Sequence, residues 1–405
     1  MRRFTVKRTR ARYNGDIVIR SSISRRALLA SAAGAAACGR QKATGYRGFC
    51  FVANHDSRTV TVIDLTRFRV RRQTPLDAAP SQVIAHPTKA KVYVLAPETG
   101  TIYEIDGVSL TVARRARAGN YAAGMQVSAA GDSLWVLYRD PPSLVELPFA
   151  SLRVRKTIRL PWTPDAFDLS RESTAPALAA IAGRRDGAIA VAALTSGDVQ
   201  KAGDAGVQPS LIRFRKDARQ LLVGSEAGRN LSIFDAGSLQ PIVRLPLPMA
   251  PRHFCFNDNQ GQLFISGEGV DAVAIVYPYR TEVAETMLAG RAPGAMQTTT
   301  APAPPLLIVA NPQTDSITVL GFNNLGKKLV AVVQVGQEPN DILMTPDQQY
   351  ALVLNGKSGD VAVVRVYSLT DTSPARRYKP TPLFTLIPAG ERPVSAAIMS
   401  FSAST

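Results

Sequence analysis

Few side chains in this 405-residue chain could carry chemistry: three histidines, three cysteines and a scatter of carboxylates. His55 stands in Asn54-His55-Asp56-Ser57-Arg58, His86 directly precedes Pro87, and His253 follows Pro251-Arg252. A hydrolase needs a general base near a carboxylate or a metal. Asp165, His253 and Asp341 are the candidates, each one or two residues after a proline that opens a short run of strand-forming residues. A metal site built on these imidazoles would need them on one face. His86 falls at the opposite end of its run from His253, so no metal is expected. There is no Gly-x-Ser-x-Gly, no His-Glu-x-x-His, no phosphate-cradling glycine loop and no Cys-x-x-Cys-His for covalent haem. A haem would have only His55 or His253 as axial ligand, and no cofactor is expected. Cys50 and Cys255, each between phenylalanines, read as small buried thiols far apart in the fold.

Cys38 reads differently. Ser24-Arg25-Arg26-Ala27-Leu28-Leu29 leads into a small, apolar run that ends at Ala37-Cys38-Gly39. A basic segment, a short apolar segment and small residues before a cut describe an export signal, and about 11 apolar residues are too few to span a bilayer. The paired arginines resemble a twin-arginine signal, although Ala30 stands where lysine is usual. Ala35-Ala36-Ala37-Cys38 resembles a bacterial lipobox, with Ala35 in place of the usual leucine, and marks Cys38 for lipidation. Residues 1–38 are thus read as an export signal, 39–46 as a linker and 47–402 as the folded body, which places the protein in the periplasm or at the cell surface on a lipid anchor. The signal holds nine Lys or Arg against one Asp, leaving about half of the net charge of +17 spread along the remaining sequence. A moderately basic body fits an anionic partner such as a lipid surface, an acidic polysaccharide or a small anion. Nucleic acid is not expected, because no basic stripe is interleaved with aromatic residues.

The elements that must position these residues repeat. Phe49–Asn54 is followed by Thr59–Asp64, Lys91–Leu95 by Thr101–Asp106, Leu306–Asn311 by Ser316–Leu320, and Tyr350–Asn355 by Val361–Val366. First runs recur about every 42–44 residues. A third run and then a Pro-led fourth run complete each unit, for example Pro164–Ser170, Pro251–Asn257 and Pro393–Ser400; the second unit has Ala123–Ser128 without the proline. Short β-branched and aromatic runs between Gly, Asn, Asp and Pro clusters are strands and tight turns. Four strands per repeat make a propeller blade. The expected fold is an all-β propeller of eight four-stranded blades, with seven as the alternative because the fourth unit is Ala-rich and weak. The chain starts on the second strand of its first blade, so Pro393–Ser400 should supply the missing inner strand and close the ring.

Runs such as LLIVANPQTDSITVL (306–320), VYVLAPETGTIYEID (92–106) and TPDQQYALVLNGKSGDVAVV (345–364) resemble the YVTN-type, lactonase-like β-propeller repeat over about residues 46–401. The resemblance implies the fold but not one activity, since such proteins include adhesion-like, lactonase-like and cofactor-binding members.

The phase of the repeat places the inner-strand entrances and the turns between second and third strands on one rim. Gln82, Tyr121, Arg252, Asn340, Arg392 and His55 are expected there as a ligand rim, beside the candidates Asp165, His253 and Asp341. Polar groups converging on a channel mouth are the default ligand site. The resulting expectation is an exported, envelope-associated binding or scaffold module, held to the membrane by its lipid, with an envelope protein, polysaccharide or small anionic ligand as partner. The alternative is a propeller enzyme, either a lactonase-like hydrolase or a cofactor-binding oxidoreductase.

Overall fold

A computed structural model describes residues 45–401 apart from 172–176, 203–204, 302, 324–325 and 371–380. The export signal and Cys38 lie outside the described residues. Thirty-two strands, β1 to β32 in chain order, form eight four-stranded antiparallel sheets. Blade 1 contains β1 (Gly48–Asn54), β2 (Thr59–Asp64), β3 (Arg69–Pro75) and, innermost, β32 (Pro393–Ser400). Blades 2 to 8 follow in sequence, each starting from its inner strand. The fourth unit forms a complete sheet from Ala166–Leu169 outward to Val199–Ala202, so the seven-blade alternative is excluded.

Burial follows strand position. Second strands such as Leu306–Asn311 and Tyr350–Asn355 are buried along their whole length, while the outer strand Arg69–Pro75 is exposed at all but Thr74. A sheet covered on both faces needs continuous rather than alternating apolar runs, which is why the inner repeats are conspicuous in the sequence and the outer ones are not. Each pair of neighbouring blades shares one apolar core. Cys50, Val52 and Ile63 of blade 1 pack on Leu352, Leu354 and Val363 of blade 8, closing the ring. β1 pairs with β32 from Gly48↔Ser400 to Asn54↔Pro393. All of these cores lie within the compact unit Gly45–Thr405.

Two faces result. The upper face carries the turns between second and third strands and the connections between blades; the lower face carries the other two kinds of turn. Tight turns of both faces use the left-handed backbone region. In the turns between third and fourth strands, leucines take it: Leu110, Leu152 and Leu239 have φ of 59°, 51° and 57°. Left-handed backbone costs a residue with a Cβ about 1–2 kcal/mol, and here it swings each of these side chains into buried positions. On the upper face, glycine approaches a buried asparagine instead. A Cβ on Gly390 would lie 2.7 Å from the amide of Asn54, and one on Gly290 at 2.7 Å from that of Asn311.

Candidate functional site

Adjacent inner strands of a propeller splay apart, and here side chains bridge the gap at several junctions. Gln82 of blade 2 accepts from the Met125 N–H and donates to the Met125 carbonyl of blade 3, both at 2.9 Å. Gln126 repeats this toward blade 4, donating to the Phe167 carbonyl and accepting from the Leu169 N–H, each at 3.0 Å. Asp168 accepts from the Phe214 N–H of blade 5 at 2.8 Å. Ser395 accepts from the Val83 N–H at 3.2 Å, and Asn340 donates to the Pro393 carbonyl at 2.8 Å. Two residues expected to hold a ligand, Gln82 and Asn340, are therefore also ties between blades.

The three catalytic candidates reach the upper half of the ring by different routes. Asp165 closes a turn: it accepts from the Arg184 N–H at 2.8 Å and pairs with Arg139 at 3.0 Å. His253 lies half-buried on the inner strand of blade 6, and its imidazole has no hydrogen-bond partner among the described residues. Burial, then the charge of Arg252, holds its pKa below the ordinary histidine value, so the imidazole is neutral at pH 7. Asp341 lies on blade 8, two blades round the ring, where it accepts from the Ile342 N–H at 2.9 Å. Burial pushes its carboxyl up to about 6.

Two cavities open on the upper rim. The first, about 690 Å³, lies between blades 6 and 7 and is lined by Arg252, His253, Glu268, Asp271, Gly294 and Gln313 among others. Arg252 is not available as a free cation, because it pairs with Glu226 at 2.6 Å and Glu268 at 2.8 Å. Glu226 pairs in turn with Arg184 at 2.5 Å, linking blades 4, 5 and 6 through one chain of charges. The second cavity, about 760 Å³, lies where blade 8 meets blade 1 and includes Asp56, Glu338, Asn340, Lys357 and Arg392. There His55 Nδ1 meets Asp56 at 2.7 Å, Arg392 reaches Asp56 at 3.5 Å, and the His55 N–H donates to the Arg392 carbonyl at 2.9 Å. The His55 hydrogen bond, ahead of the Arg392 charge, holds the Asp56 carboxyl below its usual value. Tyr121 is 58% exposed on left-handed backbone with φ of 50°. Asp165 and Gln82 share a smaller space, about 330 Å³, inside the channel.

The structure thus brings Arg252 with His253, and Asn340 with Arg392, while His253, Asp341 and Asp165 stay on separate blades. Sequence reasoning missed Gln126, Asp168 and Arg213, which line a cavity of about 500 Å³ deeper in the channel. Each sits at a channel-facing position of an inner strand, and alternation along a strand from Gly124, Ala166 and Leu211 could have found them. Burial raises the Asp168 carboxyl even against the charge of Arg213. The thiols of Cys50 and Cys255 are free; Cys50 is buried and pushed to about 12 by burial and by Asp341. Cys255, expected to be buried, is half-buried on the inner strand of blade 6, packed against the core shared with blade 7. Among the described residues no group of three or more His, Cys, Asp or Glu is arranged to hold a metal.

This geometry defines a β-propeller protein with a polar channel mouth. No protein-family model and no curated protein sequence matches the chain. Solved structures do. The chain is similar to a dihydro-heme d1 dehydrogenase, NirN, in complex with DHE (TM-score 0.67, 16% identity, over 86% of this chain and 75% of that one). It is also similar to Kuenenia stuttgartiensis hydrazine synthase (0.54, 12%, 69% and 95%) and to a functionally unknown protein from Desulfotomaculum acetoxidans (0.57, 11%, 87% and 99%). At these identities the likeness is one of fold.

Proposed function

We propose that the chain is an exported, envelope-associated propeller of the YVTN type that works as a binding or scaffold module through its upper rim. One observation carries the reading: the groups able to do acid–base chemistry are not assembled. Asp165 is bound up in an ion pair and a turn, and the uncommitted His253 is two blades from Asp341. A general base with no carboxylate hydrogen-bonded to it is a poor start for hydrolysis, whereas a ring of polar side chains around two open cavities is an ordinary recognition surface. Acidic residues outnumber basic ones in the upper turns, so a basic segment of an envelope protein fits the rim better than a small anion. The export signal and a lipid on Cys38 complete the reading.

The enzymatic alternative draws on the neighbours, one of which carries DHE. A tetrapyrrole needs an axial ligand and cations for its carboxylates. His253 could serve as ligand, but Arg252 and Arg184 beside it are already held by Glu226 and Glu268, so the mouth fits such a group poorly. Visible absorbance and metal analysis of the purified chain test the choice. A featureless spectrum without stoichiometric metal is expected; a chromophore lost on His253→Ala would overturn the binding-module reading. Cell fractionation should find the protein with the membrane, and a high-salt wash should release the Cys38→Ala protein but not the parent.

A further inference from the structure

The basic charge that runs evenly along the sequence is not even over the molecule. Among the described residues, the turns of the lower face carry nine Lys or Arg against five Asp or Glu, whereas the upper turns and blade connections carry seven against ten. The fold sorts the charge because turns of the two faces alternate along the chain, so the sequence average conceals opposite excesses. The lower cations are spread round the ring: Arg67 on blade 1, Arg153 on blade 3, Arg171 on blade 4, Lys216 and Arg219 on blade 5, and Arg280 on blade 6. Arg67, Arg153 and Lys216 are exposed and belong to no ion pair among the described residues.

The chain enters the ring at this same face. The Thr66 hydroxyl donates to the Tyr46 carbonyl at 3.3 Å, and the Leu65 N–H donates to the Gly48 carbonyl at 3.1 Å. Both contacts bind the entering strand to the lower turn that carries Arg67.

We propose that the lower face docks on a membrane surface rich in anionic lipid, leaving the acidic rim turned away toward its partner. The inference rests on the envelope placement proposed above but not on lipidation itself. Cations near an anionic leaflet are attracted individually and additively within about a Debye length, so several unpaired ones on one face make a docking surface.

The test uses the chain from Gly39 onward, which contains the whole closed ring and lacks both the anchor and the basic leader that would itself bind vesicles. Sedimentation is measured with phosphatidylcholine vesicles, alone and with phosphatidylglycerol. Binding is expected only with the anionic lipid. It should fall about a hundredfold or more in Arg67→Glu/Arg153→Glu/Lys216→Glu, fall in high salt, and remain unchanged in the upper-face control Arg58→Glu/Arg185→Glu/Lys357→Glu. Should the lower triple misfold by circular dichroism, the three single reversals are read instead, each expected to lose about fivefold. Equal loss from both triples, no preference for anionic lipid, or binding to polygalacturonate but not to vesicles would overturn the proposal. Finding the native protein in the cytoplasm would instead overturn the envelope placement and leave the vesicle result standing.

Discussion

Deleting Pro393–Thr405 should unfold the entire ring rather than fray one blade. The deletion removes β32, which is paired to β1 over seven residues and contributes buried Ala396, Ala397 and Met399. About half a dozen backbone hydrogen bonds at roughly 1 kcal/mol net each, plus about 3–5 kcal/mol for the apolar side chains, come to about 10 kcal/mol. That is comparable with the total stability of a typical domain, about 5–15 kcal/mol. The loss also propagates to both sides. Met399 and Ala397 belong to the core shared by blades 1 and 2, and Ala396 to the core shared by blades 8 and 1. Urea unfolding followed by circular dichroism, with hydrogen exchange to locate protection, reads the outcome. The truncated chain is expected to show little cooperative transition at 25 °C and loss of protection in blades 2 and 8 as well as blade 1. A truncated chain that melts cooperatively within about 5 °C of the parent would refute closure by this strand as the source of the ring's stability.

Two further outcomes follow from buried carboxylates. Asp341 has a folded pKa of about 6, above the ordinary value near 3.9, so its ionisation is penalised in the folded state. The penalty is absent below about pH 4, grows up to about pH 6 and is full at pH 7. Asp341→Asn should thus raise the urea midpoint at pH 7 by the equivalent of about 1–3 kcal/mol and leave it unchanged at pH 4. An equal shift at both pH values would sink the argument. Glu104 is the opposite case: burial pushes its carboxyl up, but hydrogen bonds and charges of Arg114 and Lys91 outweigh that and hold it low. With Tyr93 also donating to it, Glu104→Gln should cost about 1–3 kcal/mol at pH 7. The difference from the parent should shrink as the pH falls through the lowered pKa of Glu104, where the parent carboxylate takes up its proton; a constant difference would show that shape rather than charge is responsible.

The inner two-thirds of every blade was legible because strands buried on both faces must be continuous apolar runs, as in Leu306–Asn311 and Tyr350–Asn355. The phase of the ring was legible too, since Pro393–Ser400 had no partner in its own repeat and β1 lacked an inner neighbour. The site was legible only as a list. That Gln82 and Asn340 spend their amides on neighbouring backbones, or that Arg252 is held between two glutamates, depends on distances between blades that no local pattern encodes. Leu110, Leu152 and Leu239 escaped notice as turn residues for a related reason. Left-handed backbone is expected at glycine or asparagine, and only their burial in the assembled ring explains leucine there.

The pairing of Phe49 with Met399 also sets a clock. The first strand to leave the ribosome waits for one made about 350 residues later, which at 5–20 residues per second is roughly 20–70 s. Throughout that interval the apolar edge of β1 is open to any other strand, including the same edge on a sister chain. A transport route that carries chains across unfolded would postpone closure until the far side of the membrane, where the two ends meet for the first time. A route that carries folded cargo would need the entire chain finished and closed beforehand, and so would inspect, in effect, a single joint.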